Sequence, residues 1–380
     1  MEDLIRQIAA CSRQGERGAL SSLVASSGSI PMSERAKMLV KEDGQILGTI
    51  GGGCLEAEIV GVGQDVLKTG IPQISRFTLT EEQAGESGLN CGGSVSIYTE
   101  LVGGGEDASS DDVFTAIAEA KEARQACVLA TLLSPLTHPP RRTLYLADGQ
   151  RIGSLGTSTL DDEAGSLAAG VMASETAVLA SMNAAPVTAA HELKSGGSGE
   201  GRELFLEPFV PPPVLYVFGG GHVGGQICRL ARGVGFRVVV IDDRPMFASA
   251  QRHPDAHECI VGDPVAVFDR LDLDERAFVV AATRGHQHDE VVVEKAIRTR
   301  AGYIGMLGSE RKKVTLWKRL TARGGDPERL AQVYAPIGLN IGADNPEEIA
   351  VSVVAELIEV RRAPSKVWKT KRSASEAPIS

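Results

Sequence analysis

The stretch that most constrains this chain lies between Val214 and Asp242. An apolar run, Val214 to Phe218, reads as a buried strand and leads into Gly219-Gly220-Gly221-His222-Val223-Gly224. There Gly219, Gly221 and Gly224 spell G-x-G-x-x-G. A helical stretch, Gln226 to Gly233, follows, then a second apolar strand, Arg237 to Ile241, ending at Asp242. Each glycine has a mechanical task in such a unit. Gly219 permits the tight turn, Gly221 lets backbone approach a pyrophosphate, and Gly224 lets helix and strand pack closely. Free N–H groups at the helix start attract anionic oxygens, and an acid about 20 residues on suits a pair of ribose hydroxyls. Strand, loop, helix, strand and acid, in that order, predict a dinucleotide-binding βαβ unit. Its ligand contacts would be Gly219, Gly221, His222, Gly224 and Asp242. Asp242 suits NAD, and Arg244 leaves the 2′-phosphate of NADP open.

Upstream of this unit, Pro208 to Pro213 reads as a stiff extended linker and the clearest domain boundary. Residues 1–209 and 210–363 are therefore expected to fold as separate units, with a polar, basic, disordered tail over 364–380. The second unit continues as a Rossmann-like, doubly wound parallel sheet. Further strands are predicted at Glu258 to Val261, Ala277 to Ala282 and Tyr303 to Leu307, with helices at His288 to Arg300, Ser309 to Arg323 and Pro346 to about Arg361.

The first unit repeats itself. A shift of 105 residues carries Gly48 onto Gly153, and the segment Leu39 to Gly51 onto Leu144 to Gly156. Leu55-Glu56 falls on Leu160-Asp161. The expected fold is thus α/β throughout, an internally duplicated N-terminal domain (copies about 18–101 and 124–208) before the Rossmann-like one. Asp43-Gly44 is expected to turn a hairpin, and a helix is expected to open at Gly51-Gly52-Gly53-Cys54-Leu55-Glu56.

The second copy serves as an internal control for the first. Where the first has Gly53-Cys54, the second has Ser158-Thr159; where the first has Cys91-Gly92-Gly93, the second has a loose serine and glycine stretch. The module folds without either cysteine motif, so function explains them better. A thiolate at a helix start is a nucleophile and a good ligand for soft metals. Cys54 and Cys91 are the candidate reactive residues, and Cys54 is also the candidate metal ligand. Gly51, Gly52, Gly53 and Glu56 would complete a binding loop around it. Cys11, Cys127, Cys228 and Cys259 read as core fillers. In the second unit, Thr283-Arg284-Gly285-His286-Gln287-His288-Asp289 and Gly308-Ser309-Glu310-Arg311-Lys312 each follow a strand, where such sheets bind ligands. Arg284, His286 and Ser309 join the candidate cofactor contacts.

Bulk properties exclude several classes. A formal charge of −10 argues against nucleic acid and against anionic membrane surfaces. No apolar run is long enough to span a bilayer, and Met1-Glu2-Asp3-Leu4 lacks the start of a signal peptide. A cytoplasmic protein is expected. The six cysteines, spread from 11 to 259, contain no C-x-x-C pair.

Taken as an ordered set, these motifs resemble the xanthine dehydrogenase accessory factor family (XdhC/CoxI). The resemblance is carried by Gly48 to Glu56, Cys91-Gly92-Gly93, Phe218 to Gly224, Thr283 to His286, Tyr303 to Ser309 and Ala335 to Ala343. One departure is Ser29 to Arg35, where such proteins usually carry a Ser-Thr-Pro-Arg type segment. The resemblance implies a chaperone that holds molybdenum cofactor, as the pterin or its dinucleotide. It implies that a cysteine desulfurase supplies the terminal sulfur, and that the cofactor passes to an apo molybdenum hydroxylase. Such a protein is a carrier rather than a catalyst. Two other classes stay open, an NAD(P)-dependent oxidoreductase and a nucleotide-responsive scaffold. The sequence leaves oligomeric state open, a homodimer included.

Overall fold

The structure, a computed structural model, describes residues 4–78 save for 29, 31 and 34, then 93–104, 108–182, and 202–362 save for 272. Cys91, the serine and glycine stretch of the second copy and the C-terminal tail lie outside the described residues. The chain divides into two compact units, Met1–Pro211 and Pro212–Ser380.

In the first unit the repeat becomes two copies of one antiparallel sheet. The first copy runs α1 (Leu4–Gln14), β1 (Arg17–Ser27), β2 (Lys37–Lys41), β3 (Ile46–Thr49), α2 (Gly53–Thr69), β4 (Gln73–Thr78) and β5 (Ser94–Gly103). The second runs α3 (Ala108–Glu122), β6 (Cys127–Ser134), β7 (Arg142–Leu146), β8 (Arg151–Ser154), α4 (Ser158–Ser174), β9 (Val178–Ser181) and β10 (Glu203–Phe209). Their strand orders are the same, β3-β2-β1-β5-β4 and β8-β7-β6-β10-β9. Alternation along each strand explains the layering, since successive side chains point to opposite faces. Leu39 joins a core made with Ile5 and Ile8 of α1 and Phe114 and Ile117 of α3, to which Leu129 and Leu144 of the other sheet also belong. Its neighbours Met38 and Val40 instead pack with Leu55 and Ile59 of α2. Helices α1 and α3 thus share one core with both sheets, whereas α2 and α4 each cover the opposite face of one sheet.

Pro208 departs from the linker reading: it lies within β10, opposite Val128. Strand β9 begins at Val178, opposite Leu206, so Pro208 falls where β10 has lost one neighbour. A missing N–H is tolerated at such a place.

Two ion pairs join the copies in a reciprocal way. Arg142 of the second copy meets Glu100 of the first at 2.5 Å, their side chains only 1% and 5% exposed. Lys37, which the 105-residue shift places on Arg142, meets Glu207 of the second copy at 2.8 Å. Partner exchange of this kind is the signature of a self-complementary, two-fold interface. Because Arg142 is enclosed, Glu100→Ala removes the carboxylate that faces a buried charge, and unfolding in urea should show a loss of about 3–5 kcal/mol. Glu207→Ala should cost less, since Lys37 is more exposed. Equal small losses at both positions would contradict this.

The second unit opens with β11 (Val214–Phe218), α5 (His222–Gly233) and β12 (Arg237–Asp242). It continues through β13 (Glu258–Val261), α6 (Pro264–Phe268), β14 (Ala277–Ala281), α7 (His286–Ala296) and β15 (Tyr303–Met306), then α8 (Glu310–Ala322), α9 (Pro327–Ala331) and α10 (Pro346–Arg362). All strand pairs are parallel, in the order β13-β12-β11-β14-β15. Leu215, Val217, Val238 and Val240 pack with α5 and α10; Phe218, Val239 and Ile241 pack on the other face with α7 and α8. Both faces are covered, which is why these strands read as continuous apolar runs. Helix starts follow their caps: Asp263, Ser309 and Asp326 each accept from a first-turn N–H, as does Asn345 from Glu348. Helix α5 starts four residues earlier than the apolar pattern suggests, because the helix begins inside the glycine loop.

Candidate functional site

Strand order reverses between β11 and β14, and open parallel sheets bind ligands in the crevice at such a point. The loop after β11 meets the loop after β14 there. Gly219 takes φ +117°, and a Cβ on it would lie 2.1 Å from the Ala282 carbonyl oxygen. A Cβ on Gly220 would lie 1.8 Å from the Phe247 oxygen, and one on Gly224 1.9 Å from the Gly219 oxygen. These three glycines are demanded by the protein's own packing. Gly221 differs. Its φ is −71°, and an added Cβ meets nothing within 4 Å. It N-caps α5 without a side-chain cap, so first-turn amides have no capping oxygen from this residue, and the space its side chain would fill is open.

The loop is braced from beneath. Gly220 N–H donates to Asp242 Oδ2 at 3.0 Å, Arg252 Nε donates to the Gly220 carbonyl at 3.1 Å, and His253 Nε2 lies 2.8 Å from the Phe247 oxygen. Asp242 is engaged within the protein: Arg244 donates to it through Nε at 2.9 Å and Nη2 at 3.0 Å. Burial works to raise the pKa of this carboxyl, but the hydrogen bonds from Arg244 and Gly220 hold it below the ordinary value. Arg244 in turn stacks over Phe247, 3.6 Å from the ring centre. Arg252 and His253, absent from the sequence reading, belong to no motif; only the fold brings them under Gly220. His222 is exposed at the first position of α5.

Arg284 and Ser309 come together on the wall of one cleft after β14 and β15, and His288 is there too. Arg284 pairs with Asp243 at 2.8 Å, and Ser309 Oγ caps α8 by accepting from Lys312 N–H. Asp289 is committed elsewhere. It accepts from the Thr283 hydroxyl at 2.6 Å and from Lys312 Nζ at 2.6 Å. No cluster of metal-ligating side chains occurs among the described residues. The side chain of His286 lies outside them.

In the first unit, Gly51, Gly52 and Gly53 all take positive φ, 112°, 76° and 65°. The two copies hold this turn alike. Thr49 Oγ1 accepts from Gly51 N–H and donates to Glu56, whose Oε2 also accepts from Gly52 N–H. In the second copy, Ser154 Oγ accepts from Gly156 N–H and donates to Asp161, which also accepts from Leu155 N–H. Glu56 therefore shapes the loop, as Asp161 does without any cysteine nearby. The helix caps diverge: Thr157 caps α4 through its side chain, whereas Gly52 leaves α2 without a side-chain cap and Cys54 exposed.

Exposure separates Cys54 from the other described cysteines. Burial pushes Cys127 and Cys228 up to about 12 and raises Cys11 and Cys259 above the ordinary thiol value. Raised values mean less thiolate at neutral pH, so a thiol reagent should modify Cys54 first among these five. Peptide mass spectrometry of briefly labelled native protein checks this; earlier labelling of Cys11 or Cys259 would contradict it.

No helix among the described residues is long and apolar enough to cross a membrane. Among known proteins, a model of the XdhC Rossmann domain matches residues 215–357, and a model of the XdhC and CoxI family matches residues 11–78. A probable xanthine dehydrogenase subunit of Bacillus subtilis is 26% identical over 91% of this chain and 94% of its own length. The molybdenum cofactor insertion chaperone PaoD of Escherichia coli is 22% identical over 91% of this chain and 84% of its own. A crystal structure described as a xanthine dehydrogenase (BH1974) from Bacillus halodurans superposes with a TM-score of 0.74, at 24% identity, over 96% of this chain and 97% of that one. The chain belongs to the XdhC and CoxI family.

Proposed function

We propose that this chain is an accessory protein that holds molybdenum cofactor and assists its sulfuration and insertion into a xanthine dehydrogenase-type molybdenum hydroxylase. The observation that carries this reading is the divergence of two otherwise equivalent turns. Both copies keep a similar hydrogen-bonded frame, yet only the first presents an exposed thiol over an uncapped helix start. A soft sulfur donor in that position suits molybdenum, or a sulfur atom in transit to it. The open space at Gly221 fits a phosphate-bearing ligand, with the first-turn amides of α5 as donors. When bound, the cofactor supplies the redox-active metal that its target enzyme needs. Each unit offers its own candidate contact: in the first, Cys54 would suit a sulfur-bound metal, and in the second, the amides after Gly221 would suit a phosphate.

The names of the relatives support a molybdenum hydroxylase as the partner; a cysteine desulfurase is the sulfur source that sulfuration would require. Bound-ligand analysis of purified protein tests this reading. Pterin fluorescence together with molybdenum is expected. Nicotinamide would favour an oxidoreductase instead, and adenine nucleotide alone a scaffold.

A further inference from the structure

We propose that the cleft between the starts of α7 and α8 is a second phosphate subsite, separate from the glycine loop and independent of which ligand that loop takes. The cleft measures about 800 Å³ and is lined by Arg284, His288, Arg311, Lys312 and Arg319, with no carboxylate among its described lining residues. Arg311, Thr315 and Arg319 follow one another at four-residue steps along α8, which places them on one face. Helix α7, of 11 residues, points its N-terminus here, capped by Gly285 without a side-chain hydrogen bond.

Charge accounting favours an anion from outside the protein. Lys312 is matched by Asp289 at 2.6 Å and Arg284 by Asp243 at 2.8 Å. Arg319 shares the buried Glu290 with Arg323, at 3.0 and 2.9 Å. Arg311 has no hydrogen bond or ion pair of its side chain with any other described residue. Arg323 also reaches Glu294 at 3.4 Å, so the excess positive charge at the cleft rests on Arg311, beside two helix starts whose dipoles add to it. Asp289 and Glu290 act from behind the wall, fixing Lys312 and Arg319 in place. Arginine forks at a concave, cationic surface match the oxygens of a phosphate monoester or diphosphate. The cleft is large enough for a small organic group attached to that phosphate.

The test uses the full chain at low ionic strength, titrated calorimetrically with inorganic pyrophosphate. Gly221→Val removes the loop site and should leave one pyrophosphate site. Adding Arg311→Glu should weaken that site by at least about tenfold, and Thr315→Trp, which fills the cleft without changing charge, should do likewise. Lys318→Glu makes the same charge change outside the cleft, on an exposed position of α8, and should alter affinity less than about twofold. Loss of all pyrophosphate binding in Gly221→Val, or equal losses from Arg311→Glu and Lys318→Glu, would overturn the proposal. Should Gly221→Val not fold, the comparison is made in the parent chain. There, a stoichiometry falling from two to one on Arg311→Glu supports the second site, and an unchanged stoichiometry overturns it.

Discussion

A Gly221→Val protein is expected to lose the ligand that copurifies with its parent, with affinity falling at least about a hundredfold, or about 2.7 kcal/mol. Its melting temperature should stay within a few degrees of the parent's. The reason lies in what surrounds each glycine. A side chain at residue 221 meets no protein atom within 4 Å and sits on a φ of −71° that any residue adopts. It does enter the space in front of the α5 amides, where phosphate must approach. Gly224→Val is the contrasting variant: its Cβ would lie 1.9 Å from a backbone oxygen, so the helix start must shift and the fold should suffer. Calorimetric binding with thermal melts on both variants separates the two roles. Unchanged affinity in Gly221→Val would mean that the loop is only a turn.

Much of the fold is legible because periodicity and repetition are local properties. The Asp43-Gly44 turn, the 105-residue repeat and the five apolar runs of the second unit can be read without knowing what packs on what. Partnership is another matter. Nothing in the pattern of α1 or α3 says that both share a core with both sheets, since an amphipathic stripe reports that a face is buried and not against what. The reciprocal Arg142–Glu100 and Lys37–Glu207 pairs are hidden for the same reason, each linking residues far apart in sequence.

The candidate site divides along similar lines. Glycine spacing locates the loop, but which glycine serves the ligand emerges only from the space around each. Asp242 illustrates the limit. An acid at that spacing reads as a ribose contact, while the structure has it bound to Gly220 N–H and to Arg244. Either use satisfies the same sequence pattern. The contrast between the two copies is more informative, because it pairs a turn that carries a thiol with one that does not.

Cys54→Ser is therefore the variant that matters most. It should fold like the parent, since the second copy places Thr159 at the equivalent helix start. A hydroxyl is a poor ligand for a soft metal and cannot carry a sulfur atom as a thiol does. Cys127→Ser is the control, expected to lower stability because Cys127 is fully buried, yet to leave delivery intact. The direct measurement is reconstitution of a sulfur-requiring molybdenum hydroxylase from its apo form, with cofactor carried by parent or variant protein. Active enzyme should fall to less than about a tenth of the parent yield with Cys54→Ser, a loss of more than about 1.4 kcal/mol. Reconstitution at the parent rate and yield would contradict a role for this thiol.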